Sequence, residues 1–423
     1  MYKILSIPDS LLKEVEDAEN QLQAQFDNLE RICEYWSIRI LDAFRKAQVS
    51  EYSFFSSSGY GYNDEGRSAV EEVYSRVFGT ESALVRPQMV SGTHAITLGF
   101  RGILRPGDRV LIATGLPYDT MQTVLGISGN SPSALKNFGI SFDVLPLQED
   151  DSIDLEGLQD ELKKPTKMVY FQRSRGYSDR HTFSDIELEE AMRLVRKQSD
   201  AIIYVDNCYG EFVSWTEPTF YGADLMAGSL IKNPGGGLAQ SGGYLVGRAD
   251  LVELAAEALT SPGLGSKLGA TFNQTKLVLQ GLYQAPLMVL QAMKSATLFS
   301  KVLQSRGYWV SPRPEEPRFD TVQLIGFHTR DELIQFCRAI QHASPVDSYV
   351  TPEPGPMPGY EHEVIMAAGT FVQGATSELS ADAPLREPYR AYLQGSLNYF
   401  QSKLALLEFL TKLLSIPAEN VSE

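Results

Sequence analysis

Residues 201–237 read AIIYVDNCYGEFVSWTEPTFYGADLMAGSLIKNPGGG, and the fold is decided within them. The run Ile202-Ile203-Tyr204-Val205 is apolar without alternation, so the strand it predicts needs cover on both faces. Asp206 and Asn207 follow directly, at the carboxyl end of that strand. A second apolar run, 224–230, precedes Lys232, which stands ahead of Asn233-Pro234-Gly235-Gly236-Gly237. Asp206 reads either as a cap on the next turn or as a functional acid. Lys232 reads either as a surface lysine in a glycine-rich loop or as an uncrowded amine that forms a Schiff base.

Working outward, further short apolar runs lie at 109–113, 141–147, 168–172 and 243–246. Helix-like stretches such as 184–198 separate most of them. This alternation predicts an α/β fold with a mostly parallel sheet covered by helices. Such sheets place ligands at the carboxyl ends of their strands.

Toward the amino terminus, Leu11, Leu12, Val15, Ala18, Leu22, Phe26, Leu29, Cys33 and Trp36 recur at three- and four-residue steps. They predict one long helix or two joined helices over 8–48. The apolar face packs on its own domain or serves as a dimerisation arm. The Gly- and Ser-rich SSSGYGYNDEG (56–66) is a loop, and TSPGLG (260–265) marks a second change of texture. The expected organisation is an N-terminal helical arm (1–50), a large α/β domain (51–262) and a smaller α+β C-terminal domain (263–423). Within the last, helices are expected over 269–304, 330–342 and 388–413, a strand over 321–327, and a Pro-rich loop over 351–362.

Charge and composition remove whole classes of function. Lys+Arg number 37 against 53 Asp+Glu, a net charge of −16, so no general nucleic-acid partner is expected. Cys33, Cys208 and Cys337 are too sparse for a disulfide framework, and the five histidines form no HxxxH pair, so no metal site is expected. The first twenty residues lack a basic-then-apolar signal pattern. The uncharged stretch 277–293 falls short of the roughly 20 residues a bilayer needs and predicts a buried helix. The expectation is a soluble, cytoplasmic protein with no membrane partner.

A third chemical feature is Val90-Ser91-Gly92-Thr93-His94-Ala95, where a loop enters an apolar helix. It reads as an ordinary helix cap or as an anion site made of free N–H groups and hydroxyls. No GxxxxGK[ST] is present, nor a GxGxxG after a strand. Taken together, a phosphate cradle, an acid at a strand end and a lysine 26 residues after the acid match the needs of pyridoxal 5'-phosphate. The phosphate takes N–H donors, the pyridinium nitrogen a carboxylate, and the aldehyde a lysine.

The motifs GYGYNDEGR (59–67), VSGTHAI (90–96), RPGDRVL (105–111), GLPYDTM (115–121), QRSRGYS (172–178), VDNCYGEF (205–212), SLIKNPGGG (229–237) and GTFVQGATSELSADAPLREPY (369–389) run over most of the chain. On these stretches the sequence resembles fold-type I pyridoxal-phosphate enzymes of the cystathionine-lyase and methionine gamma-lyase superfamily. More narrowly, it is similar to the methionine gamma-lyase-like proteins labelled aluminium-resistance proteins. The resemblance implies an aspartate-aminotransferase-like sheet of seven strands. It makes Lys232 the cofactor-anchoring lysine and Asp206 the pyridinium partner. Ser91, Gly92 and Thr93 become the phosphate turn, with Ser229 adding a hydroxyl, and Tyr118 the aromatic stacked on the ring. Tyr60, Tyr62 and Arg67 fall where relatives send a Tyr–Arg pair into a neighbouring subunit. A homodimer or homotetramer with shared active sites is therefore implied. The ESPTNP-like segment of other members is replaced by QRSRGYS, whose Arg173 and Arg175 are either ligand contacts or structural. Arg386, or alternatively Arg390, is the expected partner of the substrate α-carboxylate. His94 reads as a satisfied polar residue or as a group over the ring, and Cys208 as a small filler.

The implied activity is elimination of a thiol from a sulfur-containing amino acid, by methionine gamma-lyase-like or cystathionine beta-lyase-like chemistry, giving a 2-oxo acid and ammonia. A transsulfuration-type transferase, an aldolase or a racemase would keep the cofactor and change the reaction. A non-catalytic cofactor-binding protein in metal tolerance is the third reading.

Overall fold

Apolar runs flanked by turn residues become strands because that conformation satisfies the backbone while burying both faces. The computed structural model describes residues 7–356 and 362–414. Its helices are α1 (Asp9–Gln21), α2 (Gln23–Lys46), α3 (Glu65–Phe78), α4 (Gly92–Ile103), α5 (Asp119–Leu125), α6 (Leu155–Glu161), α7 (Asp185–Gln198), α8 (Ala249–Leu259), α9 (Thr275–Ser305), α10 (Arg330–His342) and α11 (Tyr399–Leu414). Its strands are β1 (Ser82–Arg86), β2 (Arg109–Ile112), β3 (Ser141–Val144), β4 (Met168–Gln172), β5 (Ile202–Asp206), β6 (Leu225–Ser229), β7 (Gly243–Gly247), β8 (Trp309–Ser311), β9 (Gln323–Gly326), β10 (Val364–Ala367), β11 (Ser380–Pro384) and β12 (Arg390–Gln394).

Contacts divide the chain into two units, the larger made of Glu34–Pro286 with Arg318–Asp320 and the smaller of the rest. Two of the boundaries, after Cys33 and after Pro286, fall inside continuous helices, α2 and α9.

The larger unit holds a seven-stranded sheet in the order β1-β7-β6-β5-β4-β2-β3. Neighbours from β3 across to β6 are parallel, and β7 runs antiparallel to both β6 and β1. This is the mixed, mostly parallel sheet expected. Strands β4 to β7 are buried at every position, as their unbroken apolar runs require. Register aligns Gln172 of β4 with Asp206 of β5 and Asp206 with Ala227 of β6, so these carboxyl ends lie side by side. Edge strand β1 was not among the sequence-predicted strands. It is only five residues long and pairs with β7 alone. Helix α4 lays Ile96, Leu98, Phe100 and Ile103 into the core that holds Tyr170, Tyr204 and Leu225. The Tyr204 hydroxyl donates to the Ile96 carbonyl at 2.9 Å and pins the helix on β5.

The smaller unit is a five-stranded antiparallel sheet, β10-β11-β12-β9-β8, with α10 and α11. The face of α1 made by Leu11, Val15, Ala18 and Leu22 joins the core of this unit with Phe299, Phe336 and Phe409. The first helix is therefore packed within its own unit, the first of the two readings given for its apolar face. The final helix also begins later than expected, because 390–394 are a strand. Gly395 ends that strand at φ +69, and a Cβ there would lie 2.3 Å from the Glu378 carbonyl oxygen. The Pro-rich loop lies partly outside the described residues. The uncharged stretch at 277–293 lies within α9 with Leu279, Leu282, Ala285 and Val289 buried. No helix among the described residues is long and apolar enough to cross a membrane.

Candidate active site

Four strand ends in the larger unit build the site. Thr114 follows β2, Gln172 ends β4, Asp206 ends β5, and Ser229 ends β6 three residues before Lys232. Sheet order makes β2, β4, β5 and β6 consecutive neighbours, so residues up to 118 positions apart in sequence share one rim. The Gln172 N–H donates to Thr114 Oγ1 at 2.9 Å, and Gln172 Oε1 accepts from the Tyr118 N–H at 2.9 Å. Tyr118 is thereby held at the start of α5, and its hydroxyl lies 2.9 Å from Thr93 Oγ1.

Helix α4 begins at the phosphate turn. Ser91 is its N-cap, accepting the His94 N–H at 3.1 Å. The N–H groups of Gly92 and Thr93, at the first two helical positions, have no intrahelical acceptor. Gly92 has no Cβ for a reason of space. One would lie 3.1 Å from Ser229 Cβ and 3.3 Å from Cys208 Sγ. This single glycine therefore joins all three sequence features, the α4 turn, the Asp206 strand end and the Lys232 strand end. His94 turns back on its own segment, Nδ1 accepting the Val90 N–H at 3.2 Å. Burial and then Arg101 lower its pKa, keeping it neutral.

Asp206 is buried, with Oδ1 accepting the Cys208 N–H at 3.0 Å and Oδ2 facing the Tyr170 hydroxyl at 3.4 Å. Burial pushes its carboxyl up, while Lys232 and the Cys208 N–H pull it back. Such an acid stays ionised only beside a cation. Lys232 is half-buried, with Nζ 3.7 Å from the centroid of the Tyr209 ring. Burial works against its charge, but Cys208, Tyr209, Asp206 and Tyr118 around the amine together raise its pKa above the ordinary lysine value. Burial and then Asp206 hold the Tyr118 phenol above its ordinary range, so it stays protonated. Burial also pushes the Cys208 thiol far up, leaving it inert as a nucleophile.

Lys232, Asp206, Tyr118, Gly92, Thr93, Ser91 and Ser229 are therefore brought together. Arg67 is not a reaching arm. It is buried, and its guanidinium donates to the carbonyls of Gly61 (2.6 Å), Gly269 (2.8 Å) and Lys267 (3.1 Å) of its own chain. Three bonds to fixed carbonyls make it a clamp on the 59–67 loop. Tyr60 and Tyr62 on that loop are 69% and 63% exposed, their rings 5.5 Å apart. Arg173 is structural, being fully buried against Asp185 (2.5 Å), Asn207 Oδ1 (3.2 Å) and Ser214 Oγ (3.2 Å). Arg175 is buried too, its Nε donating to Thr182 Oγ1 at 3.4 Å. In the smaller unit, Arg386 is exposed between β11 and β12, while the Arg390 guanidinium stacks 3.8 Å over the Trp309 ring. Among the described residues no group of three or more His, Cys, Asp or Glu is placed to hold a metal ion.

The profile of the family described as methionine gamma-lyase matches residues 11–414. The chain belongs to the methionine gamma-lyase family. An uncharacterized protein of Bacillus subtilis is 44% identical over 416 residues, covering 98% of this chain and 99% of that one. A Clostridium novyi structure named as a carbon-sulfur lyase involved in aluminium resistance is 45% identical with a TM-score of 0.93, over 97% of this chain and 98% of that one. A pyridoxal-5'-phosphate dependent protein of Escherichia coli is 16% identical with a TM-score of 0.63, over 92% of this chain and 97% of that one, a likeness of fold alone. The fold is thus that of fold-type I pyridoxal-phosphate enzymes. Family membership implies that cofactor, and the cradle at Gly92, the buried acid and the half-buried amine fit it.

The sequence reading missed the supports. Gln172 was within reach, since it ends a strand next to Asp206 in register. Asn233, whose amide donates to the carbonyls of Tyr209 and Glu211 at 3.0 Å each, carried no signal beyond its place next to the lysine. Glu211 and Glu217, to which the sequence reading gave no role, are fully buried.

Proposed function

We propose that the protein is a pyridoxal-phosphate-dependent carbon–sulfur lyase. It would take a sulfur-containing amino acid and water to a thiol, a 2-oxo acid and ammonia. The observation that supports this most is the packing of Gly92 against Ser229 and Cys208, which puts an anion cradle, an acid and an amine on one rim of strand ends.

When bound, the cofactor supplies an electron sink that makes the substrate Cα–H acidic. The α4 N-terminus, with the Thr93 and Ser229 hydroxyls, binds the phosphate through N–H and O–H donors. Asp206 would hold a proton at the ring nitrogen, the cation beside which a buried carboxylate stays ionised. Lys232 would anchor the aldehyde, and its amine would be the base that takes the proton from the substrate Cα. Tyr118, kept neutral by burial and Asp206, gives a proton to the departing sulfur. Arg386 is assigned to the substrate carboxylate for its exposed, bidentate guanidinium. Methionine-type γ-elimination is ranked ahead of cystathionine-type β-elimination on family membership.

The active species is proposed to be a homodimer or homotetramer in which Tyr60 or Tyr62 of one copy meets the phosphate of another. Their exposure on a loop clamped by Arg67 supports this.

The test is incubation with methionine, homocysteine, cystathionine and cysteine, assaying 2-oxo acid, ammonia and thiol. At least one should yield all three products. Inertness of all four, with turnover of an amino-group acceptor or an aldehyde, overturns the lyase reading in favour of a transferase or aldolase.

A further inference from the structure

We infer that Tyr209 is a positioning residue for the cofactor-anchoring amine, its ring face holding the Lys232 ammonium in place until the cofactor arrives. This rests on the reading of Lys232 above. The amine sits 3.7 Å from the ring centroid, within the range at which an aromatic face attracts a cation. The backbone of Tyr209 lies at φ +72, a left-handed conformation uncommon for a bulky residue. Phe212, at the other end of the same short turn, is at φ +64. Two strained residues in four persist only where surrounding bonds fix them.

Those bonds are present. Asn233, the residue after the lysine, is 1% exposed and donates through Nδ2 to the carbonyls of Tyr209 and Glu211. The Phe212 N–H donates to Glu217 Oε1 at 2.8 Å, and Glu217 Oε2 accepts from Asn207 Nδ2 at 2.6 Å. The strained turn is thus tied on one side to the lysine's own neighbour and on the other to the Asp206 strand end. These bonds fix the Tyr209 backbone, and with it the point from which the ring reaches the amine.

The groups around the amine are Asp206, Cys208, Tyr209 and Tyr118, with Glu211 farther off. Cys208 and Tyr118 are neutral at physiological pH because burial raises their pKa values, which leaves the Asp206 charge and the Tyr209 ring to hold the ammonium. An amine must shed its proton before it condenses with an aldehyde. The ring therefore sets the pH at which the chain captures its cofactor. Removing the ring face should raise the fraction of neutral amine about three- to tenfold.

The full-length wild type, Tyr209→Phe and Tyr209→Leu should be stripped of cofactor and exposed to pyridoxal 5'-phosphate across a pH series. Borohydride trapping and peptide mass analysis then read the pyridoxyl adduct on Lys232. Tyr209→Phe keeps the face and should follow the wild type. Tyr209→Leu should shift the capture curve about half to one unit toward lower pH. Tyr209→Met, a second aliphatic replacement, carries the same expectation if the leucine variant fails to fold. Coincident curves for the wild type and the aliphatic variants overturn the inference. So does a phenylalanine variant that shifts as far as leucine, since the hydroxyl would then be the positioning group. A wild-type chain that traps nothing on Lys232 at any pH overturns the cofactor reading itself, and this inference with it.

Discussion

Glu211→Gln should make the protein progressively more stable than the wild type as pH rises from 5 to 7. Glu211 is fully buried; Oε1 accepts from the Tyr244 hydroxyl at 2.7 Å, and Oε2 is buried without a hydrogen-bond partner. Burial pushes its pKa from 4.5 up to about 8. The unfolded chain therefore loses this proton above about pH 4.5, while the folded chain keeps it to about pH 8. Between those values the folded state binds more protons, so stability falls as pH rises, by up to ~1.4 kcal/mol per unit. From pH 5 to 7 the loss comes to about 2.5 kcal/mol from this one group. Glutamine cannot ionise in either state. Its Oε1 can take the Tyr244 bond, and its amide replaces an oxygen that had no partner anyway. At pH 5 the two proteins should be close in stability, with the difference opening toward pH 7 and levelling above 8. Urea midpoints of both proteins across pH 5–8.5 measure the difference directly. Glu217, raised to about 7 by its own burial, contributes to both curves and largely cancels. Parallel curves would refute the reasoning, because Glu211 would then titrate alike in the folded and unfolded states.

Asp206→Asn should keep the fold and some cofactor while losing turnover by about a hundredfold or more, because an amide cannot hold the ring proton as a carboxylate does; steady-state rates at saturating cofactor check this. Gly92→Ala should weaken equilibrium cofactor binding more than it weakens folding. Its methyl enters the cradle 3.1 Å from Ser229 Cβ, at a strain of about 1–3 kcal/mol that helix propensity partly offsets. Arg67→Met leaves three carbonyls without their donor, and should cost on the order of 3 kcal/mol and speed hydrogen exchange over 57–62 and 267–271. Mixing a Tyr60→Ala, Tyr62→Ala chain with a Lys232→Ala chain should restore activity in verified hybrids if sites are shared; their complete silence would count against a shared site.

How much of this was legible in the sequence depends on whether the signal was local. Strands β4, β5 and β6 were readable because a strand buried on both faces must be apolar along its length, and 168–171 and 202–205 are, with a polar residue only at the carboxyl end of each. Helix α10 was readable from its Thr329 N-cap, acidic first turn and apolar spacing. Strand β12 was not. Its residues, RAYLQ, suit a helix as well as a strand, and what decides is the pairing on one side with nearby β11 and on the other with β9, more than sixty residues earlier. The 1–50 segment left two readings open. Its apolar stripe was plain, but a stripe does not say which surface covers it, and the answer for α1 is a core built from residues about 290–400 positions away.

The candidate site divides along the same line. Asp206, Lys232 and the 91–93 turn each carry a local mark, because each job needs a residue type at a strand or helix end. The supports carry none, because their meaning comes from strand order. Since β4 lies beside β2 rather than beside β3, Thr114 meets Gln172, and Gln172 in turn fixes Tyr118 against Thr93. That chain of three hydrogen bonds turns a tyrosine 26 residues after Gly92 into a neighbour of the α4 turn. Arg67 shows the converse. Its motif pointed outward, yet a guanidinium within reach of three free carbonyls of its own chain gains more from binding them than from staying solvated beside buried, unpaired backbone. A motif thus names which residues matter. The competition for hydrogen-bond partners inside the fold decides which of them remain free to meet a ligand.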